Sequence, residues 1–580
     1  MKKLIIFISC VCTAIAAQSC KSFLDQVPDD RQTIEEVFKK KRPSEEYLAN
    51  IYSFVPDESD QWNRWPWIGN VDEVHVAWAK WTIYQLNVGN WTPATSPFYK
   101  WQDYYNGIRS ATYFLNHIDG NEEILNVDGQ WLIDQYKAEA RFLRALYYFL
   151  ILRQYGPCVL IGETELPPDA VNADLQLPRS SFDECVSYIE REFAEAAKGL
   201  PINNAHERDA GRATRGAALA FRARLLLYAA SPQYNGNTDQ AGFRDLEGKQ
   251  LIAQSYDKEK WRLAAEAAKE VIDLNTYQLY EDPSHDPVKS YKGIFLTPWN
   301  NEVIFARKSN SLWDWDYNCS LRSAGGWNGI APVQQMVDAY FMKDGLKINE
   351  SGLYRNTGTT NGVHNMYIDR EPRFYASILY QGAKYKGGNI KDSVNVELNY
   401  SGRDGKKNGG EDYSHTGYLV LKGVSPETNR LTGVRASRPF ILMRLAEIYL
   451  NYAEALVEYG GDEAEAVKYL NLIRKRAGIP EYGSSANLPV PTGQSLLQKI
   501  RDERRIELAF ESHRWFDVRR WKIVPQVMGD QYGLNVDADG NDFFKQTVIA
   551  NYAWKPAYYW FPLSQYEMDR GLKLVQNPGW

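Results

Sequence analysis

Tryptophan side chains cluster in two polar stretches of this chain. The first stretch contains Trp78, Trp81 and Trp91, and the second runs from Trp313-Asp-Trp-Asp-Tyr317 to Trp327. A sugar ring has an apolar C–H face and a polar hydroxyl rim, so a flat aromatic side chain can bury the face while amide and charged groups bind the rim. The sequence therefore predicts an aromatic glycan-binding platform built from Trp78, Trp81, Trp91, Trp313, Trp315 and Trp327.

The surroundings of the second stretch favour a surface position for its rings. Trp313 and Trp315 alternate with Asp314 and Asp316 in a segment read as a loop, and this alternation would place rings on one side and carboxylates on the other. Packing is the alternative for each single ring, because buried tryptophan is common. In that case the rings would pack in the interface between the helices and a less regular part of the chain.

The densest charged cluster lies near the C-terminus. Glu503, Glu507 and Glu511 recur every four residues among several arginines, with His513 and Asp517 close behind. Glu511, His513 and Asp517 could be assembled into an acid–base site. However, opposite charges at helical spacing usually form salt bridges, and a single histidine between arginines has no evident nucleophile to activate. The cluster is therefore interpreted as structural.

The N-terminus has the layout of an export signal. Lys2 and Lys3 precede an apolar run from Leu4 to Ala17, and small residues lead to Cys20. This pattern predicts a lipoprotein signal peptide over residues 1–19, with Cys20 acylated as a membrane anchor. The alternative is an ordinary secretory signal followed by an incidental cysteine.

Composition narrows the class of protein. The net charge of −6, without a basic stripe, argues against a nucleic-acid partner. Beyond the signal region only Cys158, Cys185 and Cys319 remain, which cannot form a dense disulfide framework. No Cys/His cluster with metal-ligand spacing is present, so the sequence predicts no metal and no cofactor.

Hydrophobic periodicity predicts a mostly α-helical fold. Two helices joined by Gly460-Gly461, with Asp462 and Glu465 spaced like a capping pair, have the form of a tetratricopeptide-like hairpin. Helices over 134–155 and 181–200 are predicted to form a second hairpin, and those over 212–230 and 257–274 a third. The predicted parts are a signal peptide (1–19), an N-terminal helical part (20–274), an irregular loop-rich subdomain packed on the scaffold (275–437), and a C-terminal helical part (438–580).

Several segments resemble the SusD/RagB family, and they extend over nearly the whole chain. They are Cys20 followed by Phe23-Leu24-Asp25, the segment from Pro332 to Gly345, the block from Glu503 to Asp517, and the end formed by Trp560-Phe-Pro-Leu-Ser-Gln565 and Gln576-Asn-Pro-Gly-Trp580.

This resemblance implies a surface-exposed outer-membrane lipoprotein of Bacteroidetes that binds glycans, or sometimes peptides. It also implies a SusC-like TonB-dependent transporter as partner, a tetratricopeptide-like scaffold and no catalytic activity. The shared motifs are scaffold motifs, so the resemblance assigns no ligand-binding residues. We therefore predict a protein that captures oligosaccharides and delivers them to the transporter. A peptide-binding member of the family, a surface glycoside hydrolase and a pure assembly scaffold are the alternatives.

Overall fold

The computed structural model describes residues 34–61, 63–165, 176–204 and 206–580. The predicted signal peptide and Cys20 lie outside these residues. Within the described part of the chain, no helix is both long enough and apolar enough to cross a membrane. The long helices are α1 (Lys41–Ser53), α2 (Trp101–His117), α3 (Gln130–Tyr155), α4 (Phe182–Gly199), α5 (Arg215–Ala230), α6 (Glu259–Asp273), α7 (Leu445–Tyr459), α8 (Glu463–Arg476) and α9 (Gly493–Glu507).

These long helices pack against one another as neighbouring pairs. Helix α3 lies between α2 and α4, α5 contacts α4 and α6, and α7 contacts α6, α8 and α9. The predicted hairpins α3/α4, α5/α6 and α7/α8 are therefore confirmed, and the α6–α7 contact joins the two helical parts across the intervening chain. Helix α5 is apolar around most of its girth and is almost wholly buried, as such a composition requires.

Local sequence fixes where these helices begin and end. Ser181 and Glu184 form a reciprocal capping box at the start of α4. At the predicted Gly turn, α7 ends at Gly460, whose φ of 73° is left-handed. The Asp462 side chain then accepts hydrogen bonds from the backbone N–H groups of Ala464 and Glu465, at 2.9 and 3.2 Å, and starts α8.

The rest of the described chain consists of short elements. The strands form antiparallel two-stranded ladders: Val74–Val76 with Ile330–Pro332, Val303–Arg307 with Phe440–Arg444, Thr359–Thr360 with Val363–His364, Ile378–Tyr380 with Tyr418–Val420, Lys384–Gly387 with Ile390–Asn395, and Gly529–Leu534 with Gln546–Tyr552. The shorter helices are Ile34–Val37, Thr82–Asn87, Glu122–Val127, Pro287–Leu296, Leu312–Cys319, Gln334–Ala339, Pro372–Ser377, Lys406–Gly409, Arg514–Arg520, Val524–Val527 and Gln565–Arg570.

A buried ion network ties these short elements to the helices. Glu507 at the end of α9 pairs with Arg444 at 2.7 Å, with Arg373 at 3.0 Å and with Arg476. Burial alone would raise the pKa of Glu507, but the three guanidinium groups outweigh it and hold that pKa well below its usual range. The predicted structural role is confirmed. The predicted i, i+4 pairing is wrong, because the partners come from distant segments.

The residues that suggested an acid–base site belong to the same network. Glu511 pairs with Arg444 and Asp517 with Arg504, both at 2.7 Å. His513 is buried, and burial holds the pKa of its imidazole well below the usual value. These charges therefore stabilise the interior where the C-terminal segments meet.

Candidate functional site

Two of the predicted tryptophans, Trp313 and Trp327, are linked through Tyr317. Trp313 is the second residue of the helix Leu312–Cys319, and one turn later the Tyr317 ring contacts it edge to face, with centroids 5.6 Å apart. The backbone N–H of Trp327 donates to the Tyr317 carbonyl oxygen at 2.8 Å. Trp313 and Trp327 are both half-buried. We call these two half-buried rings, together with the buried Tyr317 that links them, the aromatic surface.

An arginine covers each tryptophan of the aromatic surface. The Arg435 guanidinium carbon lies 3.9 Å from the centre of the Trp313 ring, and that of Arg430 lies 4.4 Å from the centre of the Trp327 ring. At these distances a guanidinium is attracted electrostatically by the ring face. Both arginines are exposed and belong to residues 425–438, which we call the arginine loop.

The base of the arginine loop is fixed by Asp316. Its carboxylate accepts from two nitrogens of Arg438, at 2.6 and 3.0 Å. It also accepts from the Ser425 backbone N–H at 2.8 Å and from the Thr428 hydroxyl at 2.5 Å. Burial raises the pKa of the Asp316 carboxyl, although the Arg438 guanidinium acts to lower it. The helix that carries Trp313 therefore also holds the loop that carries its arginine cover.

Polar groups border the aromatic surface. Asp314 accepts a hydrogen bond from the Asn318 amide at 3.2 Å. Burial, together with the nearby Asp60, raises the pKa of the Asp314 carboxyl to about 6. Asp60 itself lies 3.4 Å from a guanidinium nitrogen of Arg64. This edge can supply both donors and acceptors to a hydroxylated ligand.

Trp315 does not share the surface position of Trp313. The segment expected to be a loop is a helix, in which each residue turns about 100° from the last, so Trp315 faces away from Trp313. Its ring is buried, and its indole N–H donates to the Lys422 carbonyl oxygen at 3.2 Å. The expectation that rings and carboxylates alternate between two sides is therefore wrong.

The three predicted rings of the first stretch have different surroundings. Trp78 is buried against Gly329, where an added Cβ would lie 1.8 Å from the ring, so it lies beneath the segment that carries Trp327. Trp81 is half-buried, with the Lys80 ammonium 5.7 Å from its ring centre. Trp91 is buried in a separate aromatic cluster with the C-terminal Trp580, with ring centroids 4.6 Å apart.

Sequence reasoning missed Tyr317 as part of the surface, and it missed Arg430 and Arg435. Tyr317 follows Trp313 at one helical turn, a spacing that becomes informative only once the segment is read as a helix. No local pattern links the arginines to their rings, because the arginine loop is distant in sequence.

Comparisons with known proteins agree with this architecture. The family model described as SusD family matches residues 301–580, and the one described as starch-binding associating with outer membrane matches residues 22–227. The chain is 24% identical to the starch-binding protein SusD of Bacteroides thetaiotaomicron over 542 residues, which are 89% of this chain and 83% of that protein.

Two further relatives support the same assignment. SusD-like protein P2 of Formosa agariphila is 42% identical over 158 residues, only 26% of this chain and 27% of that protein. A solved SusD-like protein from Bacteroides fragilis is 26% identical, with a TM-score of 0.75 over 94% of this chain and 99% of that one. The chain belongs to the SusD/RagB family.

Proposed function

We propose that this protein is a surface carbohydrate-binding lipoprotein of the outer membrane that captures an oligosaccharide across the aromatic surface. The observation that carries the proposal is that the half-buried Trp313 and Trp327 are both in contact with Tyr317 and are both covered by arginines of one loop, in a fold whose family includes a starch-binding protein. We propose further that Cys20 is the lipid anchor, and that the glycan passes to a SusC-like TonB-dependent transporter without being cleaved.

The proposed glycan contacts are Trp81, Trp313 and Trp327, because parts of their side chains are exposed. Trp78, Trp91 and Trp315 are buried, so we propose that Trp78 and Trp315 support the surface from below and that Trp91 is a packing residue of its separate cluster. Stacking of one ring on one sugar contributes about 1 kcal/mol. Micromolar binding needs about 8 kcal/mol, so several rings and a polar rim must act together, which favours an oligosaccharide over a monosaccharide.

The test begins with a glycan and peptide array probed with the chain lacking residues 1–20. Calorimetry of Trp313→Ala and Trp327→Ala against the best ligand then locates the site, and we expect a severalfold loss of affinity or more without unfolding. Trp131→Ala is the matched control, because Trp131 is 62% exposed and lies at the start of α3. Wild-type affinity in both surface variants would reject the aromatic surface, and binding of peptides alone would favour the peptide-binding alternative.

A glycoside hydrolase remains the second candidate because of two carboxyl groups beside the aromatic surface. Burial raises the pKa of both Asp60 and Asp314, as general acids require. Chromatography of the bound oligosaccharide after long incubation separates the two functions. Recovery of intact ligand supports a binding protein, whereas cleavage that is lost in Asp314→Asn identifies an enzyme.

A further inference from the structure

The arginines on the aromatic surface have no carboxylate partner. Among the described residues, neither Arg430 nor Arg435 forms an ion pair, although the Arg430 Nε–H donates to the Gly325 carbonyl oxygen at 2.8 Å. Arg438 of the same loop pairs with Asp316 through two of its nitrogens. Since the chain carries a net charge of −6, two guanidinium groups without ion-pair partners on the rings of one surface are a local excess of positive charge.

Hydrogen bonds within the loop hold the backbone that carries these two arginines. The Asn429 side chain accepts from the backbone N–H groups of Leu431 and Thr432, at 3.0 and 3.2 Å, and its backbone pairs with Val434. With the Asp316–Arg438 pair at the base, these bonds hold both ends of the turn that separates Arg430 from Arg435. A charge held in place before binding loses less conformational entropy when a ligand arrives.

We infer that the glycan bound at this surface is anionic, with sulfate or carboxylate groups that pair with Arg430 and Arg435. This inference rests on the proposed function and specifies its ligand class. On the ring face that each guanidinium covers, a neutral sugar must displace the arginine before it can stack. An anionic sugar can instead accept hydrogen bonds from the outward N–H edge of the planar guanidinium, a geometry that suits sulfate and carboxylate oxygens.

The other charges around the site are consistent with this inference. Arg64 lies beside Asp60, and Arg322 is exposed without an ion pair among the described residues. The carboxyl of Asp314 lies close enough to Arg435 to feel its charge but is partly buried. The acidic residue of the arginine loop itself is Glu427, which is exposed.

The test uses the detergent-solubilised lipoprotein and three probe oligosaccharides of similar length. Maltoheptaose is neutral, an oligogalacturonate carries carboxylates, and a carrageenan oligosaccharide carries sulfates. The wild type is compared with the double variant Arg430→Gln/Arg435→Gln. The control is Arg42→Gln/Arg262→Gln, which removes the same charge from two exposed helical ion pairs.

We expect one acidic probe to bind, and its affinity to fall about tenfold or more in the loop double variant but not in the control. The same affinity should fall as NaCl rises from about 50 mM to about 500 mM. Binding of the oligogalacturonate would indicate recognition of carboxylate groups, and binding of the carrageenan oligosaccharide would indicate recognition of sulfate groups. If only maltoheptaose binds, or if the loop variant binds like the wild type, the anionic class is rejected and the glycan-binding function stands. If none of the three probes binds and the array shows no glycan ligand, both the anionic ligand class and the glycan-binding function are rejected.

Discussion

The carboxylate of Asp316 and the guanidinium of Arg438 form a buried two-point ion pair, with N–O distances of 2.6 and 3.0 Å. Asp316 belongs to the helix that carries Trp313, and Arg438 is the last residue of the loop that carries Arg430 and Arg435. One interaction therefore couples the position of the rings to the position of the charges above them.

Loss of this pair should affect both stability and binding. We expect Asp316→Ala to lower the free energy of unfolding by about 3 kcal/mol, because it leaves the buried Arg438 charge uncompensated. Urea unfolding measures the change. Asp273→Ala, which breaks the exposed Lys269–Asp273 pair on α6, should change stability by about 0.5 kcal/mol or less. Equal effects of the two substitutions would show that the Asp316–Arg438 pair does not stabilise the fold.

The buried network at Glu507 should matter for stability and not for ligand affinity. The substitution Glu507→Ala removes one carboxylate partner from each of three buried arginines, Arg373, Arg444 and Arg476. We therefore expect the free energy of unfolding to fall by about 3 kcal/mol or more. Thermal unfolding monitors the loss, and calorimetry on the folded fraction should give wild-type affinity. Lost affinity with normal stability would instead place a functional site at Glu507.

Stability should depend on pH through Glu73. Burial raises the pKa of its carboxyl from the ordinary 4.5 to about 8, although the hydrogen bond from the Phe510 backbone N–H lowers this pKa in part. Between those pH values the folded state keeps a proton that the unfolded state has lost, so stability declines as pH rises through this window.

The variant Glu73→Gln cannot titrate and isolates this contribution. We expect the wild type to lose about 1 kcal/mol per pH unit relative to Glu73→Gln across the window from pH 4.5 to 8, and no more above it. Urea unfolding at several pH values measures the difference. Parallel curves for the two proteins would contradict the raised pKa.

Membrane attachment should depend on Cys20. We expect Cys20→Ala to remain unacylated and to leave the membrane fraction, because the thiol is the proposed site of lipid attachment. Metabolic labelling with a fatty acid and fractionation of the cells provide the measurement, with Cys319→Ala as the control. A Cys20→Ala protein that still carries label in the membrane fraction would refute the anchor.

A complex with a TonB-dependent transporter should be detectable by co-purification in mild detergent. We expect a tagged protein to co-purify with a TonB-dependent transporter from solubilised outer membranes, because the proposed delivery step requires direct contact. Mass spectrometry of the purified material identifies the partner. Repeated recovery of the protein alone, while the transporter is present in the extract, would count against this step.

The sequence alone determined the helical hairpins and the structural nature of the charged cluster. Their signals are local, since the apolar spacing of α3 and α4 or the cap at Asp462 depends on residues within a few turns. Only the tertiary structure decided which tryptophans are accessible. Trp313 and Trp315 are two residues apart, yet helical geometry leaves one ring at the surface and buries the other.

The tertiary structure also decided the partners of the charges. Glu507 pairs with Arg373 and Arg444, and Trp327 lies under Arg430, although each pair is far apart in sequence. Periodicity records which face of a helix is apolar, but it carries no information on which distant segment covers that face. Burial and pairing arise when those segments pack together, so the composition of the candidate site could not be read from local patterns.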